Sequence, residues 1–306
     1  MNIEIENNQL KVIVSSIGAE LQSVICDGEE RIWQADPDVW GKHAPLLFPF
    51  VGRLRDGYYE HEGKRIDAPM HGFCIGRPFE VAECCSDAPC AGGDACNAPQ
   101  TCVEFKTESD EETHKVYPFD FVLRIRFALD GNKLVKTHII ENTGNAAMPF
   151  EVGGHEAYST RMEPGDTMAD YCVQFAPGTE SIAMFGMDEQ GILTLPKTEV
   201  PLQDARLWKT PEQLGIDTII LENVPDSTAS LLNVKTGHAD VVEFAQFPYL
   251  GIWTMAGQED ARYLCIEPWS ALPDAHFSPR ELSQRAGVIT LQPGESKTLS
   301  YTMTFV

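Results

Sequence analysis

The sequence predicts an all-β fold, a large antiparallel β-sandwich, on three observations. Apolar and polar residues alternate with period two through much of the chain, and turn residues separate these stretches at short intervals. Helical periodicity is scarce. Strands at regular spacing without intervening helices argue for a sandwich or barrel rather than a parallel sheet.

In chain order, IEIEN and LKVIV flank Asn7-Asn8 and read as a hairpin. DPDVW reads as one turn of helix. FVLRIRFAL sets Phe121, Leu123, Ile125, Phe127 and Leu129 on one face and Arg124 and Arg126 on the other. Asp130-Gly131 then turns the chain into KLVKTHII. SLLNV and ADVVEFA make a further hairpin around Thr236-Gly237, and YLGIWTM and RYLCIEPW are strands joined by a polar loop. LSYTMTFV alternates to the last residue, and SPRELSQRAG is the one short helix expected. Two glycine- and proline-marked stretches, residues 84–102 and roughly 176–212, are expected as long loops. With no internal repeat, residues 1–306 are expected to form one domain.

At 306 residues and 43% hydrophobic, the chain is able to bury a sizeable core. Its net charge is −23, from 46 acidic and 23 basic residues. Such a surface repels phosphate backbones and anionic lipid, so nucleic acid and membrane are set aside as partners, and a neutral or cationic small molecule fits better. No apolar run reaches the length of a membrane span. MNIEIENNQLKVIV lacks the basic start and apolar middle of a secretion signal, so a cytoplasmic location is expected. Five of the nine cysteines crowd one stretch: Cys84, Cys85, Cys90, Cys96 and Cys102. In a cytoplasmic chain these are expected as reduced thiols on an extended hairpin loop rather than disulfides. Their spacings repeat no CxxC pair at zinc-site distances.

Three segments place ionisable groups among apolar and small residues. APLLFPFVGRLRDG and PMHGFCIGRPFE carry Arg53 and His71, each beside a glycine. EVGGHEAYS carries His155, and YLCIEPWSALPD carries Glu267 with Trp269 two residues on. Each has a purely structural reading: a core histidine, a surface arginine, a glutamate bonded to backbone amides. Gly153 and Gly154 before His155 admit two explanations, tight packing or access for a ligand. Taken together, the set suits a carbohydrate site. An indole covers the apolar face of a pyranose, arginine and histidine donate to hydroxyls, and an acid and a base on opposite sides of the ring move protons without any cofactor or metal.

The ordered motifs LLFPFVGRL, MHGF, YPFDF, VGGHEAY, FPYLGIW and CIEPW resemble the aldose 1-epimerase (galactose mutarotase-like) family, and its LacX-type branch in particular. The resemblance extends from GAELQSV and RIWQADPDVW to LQPGESKTLSYTMTFV, nearly the whole chain. It implies a β-sandwich of the galactose mutarotase-like type and interconversion of the α and β anomers of a free hexose. By the same resemblance His155 corresponds to the catalytic acid, Glu267 to the catalytic base, and Arg53 and His71 to substrate-binding residues. Two motifs depart from the branch. GGHPAF is replaced by Gly-Gly-His-Glu-Ala-Tyr, and HGFAR by His71-Gly-Phe-Cys-Ile-Gly-Arg77, which leaves open whether Arg77 takes the usual arginine's place. Glu156 is expected to point to solvent, because strand neighbours face opposite ways. Asp274 is the candidate for the aspartate that other branches use to hold the sugar.

The acid–base mechanism requires polar atoms of His155 and Glu267 within about 5–8 Å of each other across a pocket. It assigns Gly153 and Gly154 the task of opening the sheet face to a sugar, and has the carboxylate raise the imidazole pKa. The rival readings are a non-catalytic sugar-binding protein and a hexose-6-phosphate 1-epimerase, the latter with Arg53, Arg55 and Arg77 converging on phosphate. A zinc hydrolase using His71, His155 and Glu267 lacks the HExxH spacing. Oligomeric state has no signature in the sequence.

Overall fold

The computed structural model describes residues 1–85, 100–160, 163–208, 218–255 and 262–306. A nine-stranded antiparallel sheet packs on a six-stranded one. The larger sheet is centred on Phe121–Asp130, Lys133–Asn142 and Ser296–Phe305; the smaller runs Glu156–Ser159, Tyr263–Trp269, Tyr249–Trp253, Thr218–Glu222, Ser181–Met187, Leu193–Pro201. A four-stranded N-terminal sheet adds its apolar face to the same core through Ile5, Leu10, Val12 and Val14.

The alternating runs explain the layers. Phe121, Leu123, Ile125 and Phe127 are fully buried and meet Leu264, Ile266, Leu250 and Ile252 of the smaller sheet in one apolar cluster. Asp130 pairs with Lys133 across a tight turn in which Gly131 has φ 58°, a left-handed value that glycine adopts freely. The Asn7-Asn8 hairpin forms, with the Asn7 side chain accepting from the backbone N–H of Gln9 and Leu10. DPDVW forms one turn, with the Trp40 N–H donating to the Asp36 carbonyl. Among the described residues no helix is long and apolar enough to cross a membrane.

Three expectations change. The stretch from 176 is not a loop: Ser181–Met187 and Leu193–Pro201 pair as a hairpin, followed by Arg206–Leu207. Residues 209–212 lie outside the described residues. Leu193–Pro201 is an edge strand with only Leu193 buried, so it carries little apolar alternation and tolerates Pro196 and Pro201. SPRELSQRAG holds only a 3-10 turn at Leu282–Gln284, because Arg285 turns inward to a buried ion pair with Glu151 at 3.1 Å. The only α-helix among the described residues is instead the single turn Glu111–His114, capped reciprocally by Asp110 and Thr113. Finally, the expected reduced thiols are partly wrong. Cys85 and Cys102 sit directly opposite on paired strands, Cα atoms 5.1 Å apart, and form a disulfide. Cys84 is a free, exposed thiol; Cys90 and Cys96 lie outside the described residues.

Lys136 and His138 face the interior from Lys133–Asn142, both fully buried. Burial pushes the His138 imidazole down to about 3, with Lys136 reinforcing the shift. A histidine unfolded at pKa ~6.5 but depressed when folded makes the unfolded chain bind the extra proton, so stability falls as pH drops from 6.5 toward 3. The loss is about 1.4 kcal/mol per pH unit, or roughly 2 kcal/mol at pH 5. Urea unfolding at pH 7, 6 and 5 will show this slope, and His138→Phe will reduce it by about one proton.

Candidate active site

The strand Tyr263–Trp269 is buried on both faces. Leu264 and Ile266 enter the core, while Tyr263, Cys265, Glu267 and Trp269 share the opposite face. On one side it pairs with Glu156–Ser159, where Glu156 opposes Ile266 and Gly153 bridges to Trp269. The same antiparallel register sets His155 opposite Glu267. Residues far apart in the sequence thus become cross-strand neighbours, with His155 Nε2 3.5 Å from Glu267 Oε2. They stand side by side on one wall rather than across a ring, closer than the mechanism required.

Both groups line a cavity of about 230 Å³. Trp40, Trp253 and Trp269 supply apolar walls, His71 a second imidazole, and Lys42 and Arg53 positive charge. Of the sequence-predicted residues, Arg53, His71, His155, Glu267 and Trp269 therefore converge. Asp274 does not: its buried carboxylate accepts from the backbone N–H of Arg55 at 2.9 Å and of Ala275 at 2.8 Å, holding a loop together. Arg55 donates to the carbonyls of His276 and Ser278. Arg77 is engaged by Thr107, Glu108 and Asp110, away from the cavity. Arg53 donates to the Gln190 carbonyl at the rim.

The glycines before His155 serve packing. A Cβ on Gly153 would stand 2.7 Å from Trp269 Cδ1, and one on Gly154 would strike the Tyr301 hydroxyl. Gly251 leaves similar room for the far end of the indole, so Gly153 and Gly251 seat Trp269 in the wall. Neither Gly153 nor Gly154 holds the sheet face open for a ligand. Glu156 is not solvated either. It points away from the cavity, which on this inner-facing strand means into the sandwich. There Glu156 Oε1 accepts from Lys136 Nζ at 2.7 Å and from the Tyr301 hydroxyl at 2.6 Å, joining the two sheets.

Electrostatics in the cavity disfavour imidazolium. His71 holds a left-handed backbone (φ 64°) and its Nδ1 accepts from the Gly52 N–H at 3.2 Å, which assigns the ring proton to Nε2. Burial, then Lys42 and Arg53, pushes His71 down to about 4. Burial holds His155 well below its ordinary value, with His71, Lys42 and Lys136 adding to the effect. The net shift is downward even with the Glu267 carboxylate 3.5 Å away, against the expectation that the carboxylate raises it. His155 is boxed by rings: Trp40 stacks on it at 5.3 Å, and Trp253 and His71 meet it edge-on at 5.5 Å. Sequence reasoning missed Trp40, Trp253 and Lys42. Trp253 was accessible, since alternation along YLGIW places it opposite Cys265; Trp40 and Lys42 lie on a loop with no period to betray them. Among the described residues His155, Cys265 and Glu267 bring one donor atom each within 4.8 Å of one another. His71 has Nδ1 committed to Gly52 and stands outside that group, so the set of the rival hydrolase reading is not assembled.

A family model described as aldose 1-epimerase matches residues 1–304. The chain belongs to the aldose 1-epimerase family. Among its relatives is the chromosomal LacX protein of Lactococcus lactis subsp. lactis, 26% identical over 316 residues and covering the whole of both chains. A galactose mutarotase related enzyme of Lactobacillus acidophilus is 30% identical, with a TM-score of 0.89 over 100% of this chain and 97% of that one. A galactose mutarotase-like protein of Lactobacillus casei is 27% identical, with a TM-score of 0.87 over 100% of both. The sandwich is thus of the galactose mutarotase-like type.

The buried bridge behind the site yields a test. Glu156→Gln strands the Lys136 ammonium in the core and will lower stability by about 3–5 kcal/mol. Adding Lys136→Met to that variant will recover most of the loss, measured by urea unfolding of both.

Proposed function

We propose that this protein is a cofactor-independent aldose 1-epimerase, interconverting the α and β anomers of a monosaccharide by acid–base ring opening and closure. The observation that carries the reading is the cross-strand pair His155–Glu267, 3.5 Å apart on the wall of a sugar-sized cavity. In the forward step the Glu267 carboxylate takes the proton of the anomeric hydroxyl. The C1–O5 bond breaks with its electron pair going to O5, which takes the proton of the His155 imidazolium. The result is an open-chain aldehyde, a protonated Glu267 and a neutral His155. Rotation about C1–C2 presents the other face of the carbonyl. His155 then takes the O5 proton as O5 attacks C1, and Glu267 returns its proton to O1. His71 donates a hydrogen bond from Nε2–H, Arg53 donates at the rim, and Trp269 covers a C–H face.

Each positioned proton transfer contributes roughly 10²–10⁴ in rate. Glu267→Gln will therefore slow the polarimetric relaxation of α-glucose and α-galactose by about that factor, and undiminished turnover would remove Glu267 from its role. The productive free enzyme holds carboxylate and imidazolium together. Because the folded His155 pKa is depressed, that form grows as pH falls, and kcat/KM will rise between pH 8 and pH 6. If the wild-type protein accelerates no sugar in a broad panel, the non-catalytic sugar-binding reading replaces this one.

Lys42 favours a second reading of the substrate. The arginine cluster expected for phosphate is not assembled, since only Arg53 of the three lines the cavity. Yet Lys42, like Lys64 and Lys297, has no carboxylate partner among the described residues, and of the three it is the one that lines the cavity. An anionic aldose such as a hexose 6-phosphate supplies that partner. If it does, kcat/KM for glucose 6-phosphate will exceed that for glucose at least ~10-fold, and Lys42→Met will collapse the ratio. A ratio near one leaves the neutral hexose as substrate.

A further inference from the structure

The ring facing His155 is the part of the site that the acid–base reading leaves unused. Trp40 stacks on His155 with centroids 5.3 Å apart and planes 27° from parallel. On the same indole, Tyr263 stacks at 5.3 Å and Trp253 meets it edge-on at 5.1 Å. The Trp33 indole N–H donates to the Trp40 carbonyl at 2.8 Å, and the Trp40 N–H donates to Asp36. Trp40 is therefore gripped from both its backbone and its ring, and it reaches the cavity wall.

We propose that Trp40 is a positioning residue for the reaction: its indole fixes the plane in which His155 Nε2 meets Glu267 and favours the protonated imidazole. The proposal rests on the epimerase reading. A cation within about 6 Å of an indole centroid is attracted to the ring face, and a neutral imidazole gains no such term. The ionisable groups around His155 make this selective stabilisation consequential. Glu267 and Cys265 face it from the neighbouring strand, His71 from the preceding loop, Lys42 from beside Trp40 and Lys136 from the opposite sheet. Three of these, His71, Lys42 and Lys136, work against the imidazolium, and a hydrogen bond to its own backbone works for it. The indole at 5.3 Å and the Glu267 carboxylate at 3.5 Å are placed to favour it as well.

The test compares Trp40→Phe and Trp40→Leu with wild type. Leucine will cut kcat/KM at least ~10-fold and move its pH profile about 0.4–1.5 units lower, the range expected for one cation–π contact. Phenylalanine, which retains a ring face, will restore most of both. Equal loss in the two variants, or a slower enzyme with an unmoved profile, overturns the proposal and leaves Trp40 as packing. Indole fluorescence gives a readout that needs no turnover. Protonation of a stacked imidazole quenches its indole, so acidification will produce a quenching step that His155→Gln and Trp40→Phe both abolish. A step that persists in Trp40→Phe, or no step in wild type, overturns the stacking proposal. A normal step in a protein that turns over no sugar overturns the epimerase reading instead.

Discussion

The antiparallel register between Glu156–Ser159 and Tyr263–Trp269 is the constraint on which the rest of the molecule depends. It sets His155 against Glu267, and Glu156 against Ile266, on opposite faces of one layer. A slip of one residue would exchange the faces, sending the imidazole into the core and Glu156 into the cavity. Leu264 and Ile266 resist the slip through apolar burial. Glu156 resists it differently, because its partners Lys136 and Tyr301 stand on the far sheet.

That buried bridge is poor evidence for net stability, since desolvating two charges offsets most of their attraction. Its effect is on specificity. With Lys136 and Glu156 both fully buried, any alternative pairing leaves two unmatched charges in a low-dielectric interior. Gly154 belongs to the same device, because only a glycine leaves the Tyr301 hydroxyl room to reach Glu156. The residues flanking His155 in the sequence thus answer to the sandwich behind it, while His155 itself answers to the cavity.

This division explains what was legible in the sequence. Strands with one buried face announced themselves, as in FVLRIRFAL and LSYTMTFV, because burial imposes a period of two. The edge hairpin Ser181–Met187 with Leu193–Pro201 did not, because an edge strand needs little apolar alternation. The convergence of Arg53, His71, His155, Glu267 and Trp269 followed from the family resemblance, and no local pattern encodes it. Glu156 and the two glycines were misread for one reason: local sequence tells which residues share a face but not whether the other face meets water or a second sheet. The Cys85–Cys102 disulfide is not legible in the cysteine spacing, because it depends on the strand register that sets the two residues opposite each other.

Burial of the pair also fixes how its protons must be arranged. Burial, with His71, Lys42 and Lys136 nearby, favours a neutral His155 beside Glu267. Ring opening needs the other arrangement, an imidazolium beside a carboxylate. In the proposed reaction a pyranose displaces water from that wall, which strengthens the attraction between the two charges at 3.5 Å and also raises the cost of desolvating them. Under the proposed mechanism, the Glu267 carboxylate 3.5 Å away is the compensating partner for an imidazolium that burial disfavours.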